Sequence, residues 1–496
     1  MKKKLYFNTV TSLLLQVVTV LYGLILPRFY LQQYGSEING LVQSITQFLG
    51  VITFLELGVG QVIQSALYEP LATRNQNQMS RIVTSGEKFF RRIAYILLGY
   101  VAVLVVLYPA VTETSFDWWY TAALIGAMCI SSFSQYYFGV VDSILLTADQ
   151  RGYIQYTAQI LTLLINAVVS IVLISAGKSI HVVKLTASLV FLLRPLFLRA
   201  YVNRHYRVNR KEPYSEEPIQ QKWNGIAQHI SAFVLNGTDN IVLTVLSTLE
   251  NVSVYSVYHM VVYGIHQVYQ SATAGLHAVI GSLWAKQEYD RLKQVFGMIE
   301  MGLHFATVFL FTCTGILILP FIRVYTDGIS DAEYIQPLFA VLIVLAHATQ
   351  CIKTTYNMVI LAGGHFKQVQ RCHVISAALN MIISVAAVYR FGLVGVAVGT
   401  VISMTYQMVW MAVYDSKHLI KWPLRNFIKQ ILVDVLTVIV ICAATSRIEL
   451  TAVNYLAWFA MAVKVAVIAV FAVILMIMIF YRRQAVELYR SFGRKK

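Results

Sequence analysis

The apolar runs in this chain are too long to be buried by anything but a bilayer. From Tyr455 to Tyr481 the only charged residue is Lys464, and from Leu5 to Pro27 there is none. A helix needs about 20 such residues to cross the hydrocarbon core, whereas a buried strand needs far fewer. Composition closes off a soluble alternative. Of the 496 residues, 58% are hydrophobic and 12% charged, against about 25% charged in ordinary soluble domains. The expected class is all-α and polytopic, with about 14 transmembrane helices. The runs place spans at 5–27, 39–68, 89–111, 118–147, 153–176, 180–202, 226–248, 252–285, 296–322, 334–362, 368–389, 392–414, 427–446 and 455–481.

A net charge of +16 suggests nucleic acid when taken alone, but its distribution does not. Arg28, Lys178, Arg323, Arg390 and Arg447 fall at outer helix ends, and Lys184, Arg194, Lys353 and Lys464 fall within spans. The remaining Lys and Arg lie in or beside the alternate, inner loops and the two tails. This is the positive-inside pattern, and it predicts both termini in the cytoplasm and no nucleic-acid partner. Lys2-Lys3-Lys4 ahead of an apolar run resembles a signal peptide, yet no small-x-small cleavage site follows. The run reads as an uncleaved first span. Cys129, Cys313, Cys351, Cys372 and Cys442 lie inside spans without a CxxC pair, so neither a disulfide framework nor a zinc site is indicated.

The longest inner connection is basic and carries Pro213 and Pro218. It divides the chain into an expected N-terminal six-helix bundle (1–203), a cytoplasmic linker (204–225), a C-terminal six-helix bundle (226–416) and an appended helix pair with a cytoplasmic tail (417–496). Internal similarity supports the division. Gly58, Val62, Ile63 and Ser65 in span two recur as Gly275, Val279, Ile280 and Ser282 in span eight. Asn166 and Ser170 in span five recur as Asn380 and Ser384 in span eleven. The equivalent spans are six apart and run in the same direction, which makes the repeat parallel. Two similar halves around a cavity is a common transporter plan.

Polar groups are costly in lipid and face a partner helix or a water-filled cavity. Stepped at about 100° per residue, they gather into stripes. Span eight aligns His259, His266, Gln270, Thr273 and His277. Span seven aligns His229, Asn236, Asn240 and Ser247 beside Asp239. Span two aligns Gln43, Thr46, Thr53, Gln61 and Gln64 with Glu56 at the edge, and span one aligns Asn8, Ser12, Thr19 and Tyr22. Any one of these can simply tie helices together; four stripes on equivalent spans favour a hydrated cavity. The candidate cavity residues are Arg28, Glu56, Asn236, Asp239, Asn240, His259, His266, Gln270, His277 and Lys353. Arg28 either snorkels to the interface or holds an anionic head group. Glu56 and Asp239 either pair with a cation or carry a proton. Lys353, the most central of the intramembrane cations, is a candidate ligand or coupling group. No catalytic residue, metal or cofactor is indicated, and no Walker motif, nucleophile elbow or Gly-rich phosphate loop is present.

Several segments carry a family resemblance. They are Tyr34-Gly-Ser-Glu-Ile-Asn-Gly-Leu41, Leu55-Glu-Leu-Gly-Val-Gly60, Ala66-Leu-Tyr-Glu-Pro-Leu-Ala72, His229 to Ile241, and Val254-Tyr-Ser-Val-Tyr258. With these the chain resembles the polysaccharide transport proteins, the O-antigen and capsule flippases of the multidrug/oligosaccharidyl-lipid/polysaccharide exporter superfamily. Val254 and Val257 depart from the Gly and Asn usual there. The resemblance implies a bacterial inner-membrane flippase that moves an undecaprenyl-diphosphate-linked oligosaccharide outward by alternating access, driven by an H+ or Na+ gradient. It implies membrane lipids, a polysaccharide polymerase and other assembly proteins as partners. Two alternatives share the fold: a multidrug/cation antiporter and a flippase of the peptidoglycan precursor. A membrane glycosyltransferase or polymerase is disfavoured by short outer loops and the lack of an Asp-x-Asp.

Overall fold

The computed structural model describes residues 2–56, 58–112, 115–214, 237–482 and 484. Among them every regular element is helical. In chain order these are α1 (Lys2–Gly50), α2 (Val59–Thr73), α3 (Gln76–Val111), α4 (Trp118–Ser134), α5 (Val140–Ala148), α6 (Gly152–Ser175), α7 (Ile180–His205), α8 (237–246), α9 (Leu249–Ala285), α10 (Tyr289–Tyr325), α11 (Pro337–Ala362), α12 (Phe366–His418), α13 (Leu424–Thr445) and α14 (Tyr455–Phe480). Ten described segments are long and apolar enough to cross a membrane. Their outward faces are apolar, as on α14, where Leu456, Phe471 and Ile479 are exposed. Continuous apolar surface on this scale is suited to lipid and not to water.

Two of the ten, Tyr6–Glu56 and Phe366–His418, are 51 and 53 residues long, roughly twice what one crossing takes. Each is a pair of helices meeting at a glycine, Gly35 (φ 81°, ψ 178°) or Gly392 (φ 50°, ψ −124°). No L side chain is comfortable at either conformation. The outer loop expected after Pro27 is therefore absent. The helix runs through Pro27, and the reversal into the next span is made at Gly35. Pro27 fits because helices in lipid accommodate a missing N–H where neighbouring groups re-satisfy the backbone. Gly35→Ala is expected to lower stability by about 1–3 kcal/mol, measured as earlier loss of the folded peak in size-exclusion chromatography after heating.

Span two, read from sequence as one helix, is interrupted. A 3₁₀ turn at Val51–Glu56 and a left-handed Gly58 (φ 75°) separate α1 from α2. Its two polar groups, Gln43 with Thr46 and Gln61 with Gln64, therefore do not share one continuous helical face. The fourth span also changes pitch, through a π turn at Gln135–Gly139 between α4 and α5.

The chain forms two compact units, Met1–Phe233 with Thr244–Ser253, and Val234–Leu243 with Val254–Lys496. The first packs around Leu41, Ile45, Ile63, Phe90 and Tyr108. The tip joining α8 to α9 belongs to it: Thr244 donates to Ser44 (2.9 Å), Asn39 donates to Ser253 (2.8 Å), and Gly40 lies so close to the Leu249 backbone that a Cβ would overlap it. The same unit holds an ion network. Glu87 on α3 accepts from Arg91, Arg199 and Arg210, and Asp142 on α5 pairs with Arg210 at 2.8 Å and Arg199 at 3.5 Å. Arg210 lies in the segment read from sequence as a cytoplasmic linker. The described start of this segment is tied to the first unit, with Asn209 accepting from Thr84 through its carbonyl and donating from its backbone N–H to Ser80. Nearby, Tyr206 donates to Asp149 at 2.6 Å; burial, and then that carboxylate, push its phenol above the ordinary value.

The repeated asparagines make parallel contacts in the two units. Asn166 on α6 accepts from Tyr22 on α1 (2.8 Å) and donates to the Ala187 carbonyl on α7 (3.0 Å). Asn380 accepts from Thr238 on α8 (3.2 Å) and donates to Thr400 in the second half of α12 (3.1 Å). In each case one amide joins the fifth span of a unit to its first and sixth.

Candidate functional site

The structure places the expected cavity residues unevenly. Asn236, together with His229 and residues 215–225 of the expected linker, lies outside the described residues. Arg28 and Glu56 belong to the first unit. Arg28 is half-buried within α1, between Pro27 and Gly35, and not at a helix end. Glu56 closes the 3₁₀ turn and accepts from Tyr136 of the π turn at 2.6 Å. Two irregular turns thus meet through one carboxylate, in keeping with the tendency of such turns to mark strained or functional places. Lys184 lies over the Tyr30 ring at 4.1 Å, a cation–π contact within this unit. Lys464 is exposed on α14 and takes no part in a buried cluster.

The second unit gathers the rest. Asp239 on α8 is buried; its Oδ2 accepts from Tyr255 (3.0 Å) and Thr400 (2.9 Å), while Oδ1 has no partner. Tyr255 stacks on His259 with ring centroids 5.5 Å apart. His259 and His266 each approach His347 of α11, at 5.6 and 5.9 Å between centroids. Gln270 reaches His266 at 3.1 Å. The i, i+4 and i, i+7 spacings on α9 hold these groups on one face, as the stripe predicted. Asn240 is half-buried beside Asp239. His277 is half-buried further along α9, apart from these ring contacts.

Lys353, read as the most central of the intramembrane cations, has specific neighbours. Its ammonium donates to Gln407 Oε1 at 2.8 Å, and Gln407 Nε2 reaches His373 Nδ1 at 3.2 Å. His347, His373 and Gln407 were not among the sequence candidates. The signal was present for two of them: His373 stands seven residues before Asn380, and Gln407 seven after Thr400, so each shares a helix face with a residue of the Asp239 network.

A second buried cluster, also absent from the sequence candidates, joins α10, α11 and α13. Asp434 contacts His304 Nδ1 at 2.6 Å, and His304 Nε2 lies 3.2 Å from the Tyr356 hydroxyl. Tyr356 donates to Glu300 at 2.8 Å, and Trp422 donates to the other Glu300 oxygen at 2.9 Å. Because the Tyr356 proton is directed at Glu300, its oxygen accepts from His304.

What these units define is a polytopic helical membrane protein with polar networks inside its spans. Comparison with solved structures places it further. The chain is similar to the lipid II flippase MurJ in an inward closed conformation, with a TM-score of 0.74 at 12% identity, covering 96% of this chain and 98% of that one. It is also similar to an inward-facing multidrug-resistance MATE family transporter of the MOP superfamily, with a TM-score of 0.59 at 14% identity, covering 81% and 94%. A variant of the Vibrio cholerae MATE transporter VcmN matches with a TM-score of 0.57 at 13% identity, covering 84% and 98%. The chain thus shares its fold with these structures. The proteins sharing it here are transporters and a flippase, not enzymes. No protein-family model matches the sequence, and no curated protein does.

Proposed function

We propose that this protein is a flippase of the bacterial cytoplasmic membrane. In this reading fourteen spans form two parallel six-helix bundles and an appended helix pair, with both termini cytoplasmic. The substrate is an undecaprenyl-diphosphate-linked oligosaccharide, carried from the inner to the outer leaflet by alternating access. The observation that carries the reading is the extent of the match to the lipid II flippase, which takes in almost the whole of both chains. The MATE transporters leave about a sixth to a fifth of this chain uncovered, close to the share taken by residues 417–496. A match that takes in almost the whole chain favours a lipid-linked substrate over a soluble cationic drug.

The polar networks suit that task. A sugar and a diphosphate cannot cross hydrocarbon unaided, and hydroxyls, amides and cations lining the path replace their water. An elementary charge moving down about 100 mV supplies roughly 2.3 kcal/mol, and Asp239, buried with one oxygen unpartnered, is the proposed carrier of the driving H+ or Na+. The oligosaccharide, as distinct from the peptidoglycan precursor, rests on the family resemblance of Tyr34–Leu41 and Leu55–Gly60.

Purified protein in liposomes is expected to flip a lipid-diphosphate-linked oligosaccharide. Lys353→Ala and Asp239→Asn are each expected to reduce that flipping at least about tenfold with normal membrane insertion, as loss of a group needed for transport requires. Rescue of a strain depleted of its lipid II flippase, with no defect in surface polysaccharide on deletion, would reassign the substrate to the peptidoglycan precursor. Flipping in both variants at the wild-type rate would remove these residues from the mechanism.

A further inference from the structure

We infer that Lys353, His373 and His266 form a binding site for an anion of the phosphate class, held entirely within the second unit. The Lys353 ammonium group can only donate. Lys353 contacts Gln407 at 2.8 Å, so the Gln407 amide must present its oxygen there. Its NH2 is then turned toward His373 Nδ1 at 3.2 Å, and that nitrogen must accept. A neutral His373 therefore carries its proton on Nε2, which is buried with no partner. The same logic applies on α9. Gln270 presents its NH2 to His266 Nε2 at 3.1 Å, which leaves the proton on Nδ1, also buried and unpartnered. Both rings are more than nine-tenths buried, at 9% and 8% exposure.

The surroundings do not neutralise this group. Among the described residues, the ionisable side chains that interact with the Lys353 charge are His266, His373, Cys351 and Cys372, and none of these is a carboxylate. Of the three ammonium hydrogens, one is used, by Gln407. The site thus offers a positive charge and several spare N–H donors from α9, α11 and α12, and none of the described groups that interact with Lys353 is a carboxylate. A buried donor left unmade costs about 1–3 kcal/mol, more for a charged group, and an unpaired buried cation costs more again. A metal ion would need lone pairs where the site has hydrogens. A multi-oxygen anion meets each donor with a charge-assisted bond. Lys353 is half-buried and not sealed, so the site has a way in.

Two sources share this chemistry: a free inorganic phosphate or diphosphate, and the head group of a lipid diphosphate. The second source rests on the proposed flippase function; the anion site itself does not. Isothermal titration of the full-length protein in non-ionic detergent separates them, with inorganic diphosphate as one probe and farnesyl diphosphate in mixed micelles as the other. Saturable binding at one site per chain is expected. Lys353→Gln should weaken it about tenfold or more, as removal of a charged partner does, while Lys353→Arg retains most of it and His373→Phe weakens it by a smaller factor. Binding of inorganic diphosphate alone makes this a free-anion site, and binding of the prenyl probe alone assigns it to the head group. Should Lys353→Gln misfold, His373→Phe and Gln407→Leu carry the test. No saturation by either probe, or equal affinity in wild type and in correctly folded variants, overturns the inference. Anion binding without lipid flipping would leave the site standing and remove the flippase.

Discussion

Arg210→Ala is expected to cost the first unit about 3–5 kcal/mol, the loss typical when one partner of a buried ion pair is removed. Arg210 serves Glu87 and Asp142 together, and these carboxylates are 5% and 0% exposed. Truncation leaves Arg199 and Arg91 to hold both charges, and the Asp142 contact to Arg199, at 3.5 Å, is the longer of its two. The segment after α7 also loses its anchor, since Arg210 bonds Asn203 as well. The result would be read as a lower melting temperature in detergent and a smaller folded fraction. Adding Asp142→Asn to Arg210→Ala tests the cause. If the loss comes from a stranded carboxylate, the double variant recovers part of it, and the cycle shows coupling well above the additive expectation. Purely additive losses would mean that Arg210 acts by packing alone.

The second large effect is expected from Asp434→Ala. His304 is fully buried and lies between Asp434 and Tyr356. Removing the carboxylate strands the imidazole Nδ1 and frees the Gln430 amide that also contacts it. The expected cost is again about 3–5 kcal/mol, confined to the second unit. Tyr356→Phe should cost less, about 1–2 kcal/mol, because it removes one hydroxyl between neighbouring groups and leaves the ion contact intact. The pair of variants is checked by differential scanning fluorimetry with a thiol-reactive dye, whose signal rises as buried cysteines such as Cys351 and Cys372 are exposed. Equal melting temperatures for Asp434→Ala and wild type would show that the His304–Asp434 contact contributes nothing to stability.

Much of the fold was legible because lipid enforces it. Every spanning backbone must bond within itself, so length and hydropathy locate the helices with little help from tertiary contacts. The polar stripe on α9 was equally legible, since one regular helix carries its own phase. The stripe on span two was not: Gly58 and the 3₁₀ turn before it reset that phase, and counting residues at a constant angle cannot see a reset. Arg28 was misplaced for a related reason. Pro27 followed by a charged residue looks like a helix end in water, but the helix passes through it and turns at Gly35.

The polar side chains show the same division. Asp239 stood out as a carboxylate within an apolar run, whereas Glu300, His304 and Asp434 escaped notice although they are as deeply buried. They lie on two helices, Glu300 and His304 on α10 and Asp434 on α13, 130 residues apart between His304 and Asp434, and only packing, with Tyr356 of α11 between them, brings them into one hydrogen-bonded chain. The segment read as a cytoplasmic linker holds a partner set that spacing does not show: Arg210 enters a buried network whose carboxylates come from α3 and α5.

The long apolar runs by themselves determine that this chain is a helical membrane protein, because no other environment satisfies so many consecutive nonpolar residues. The doubled pattern of Asn and Ser points to two related halves for the same local reason: each helix displays its own periodicity. Only the tertiary structure decided where two helices meet at a single glycine, which buried charges find partners, and that the described ionisable groups that interact with Lys353 are imidazoles and thiols, not carboxylates. Those outcomes depend on groups far apart in the chain, and their energies come from proximity in a low-dielectric interior, which spacing along one helix cannot encode.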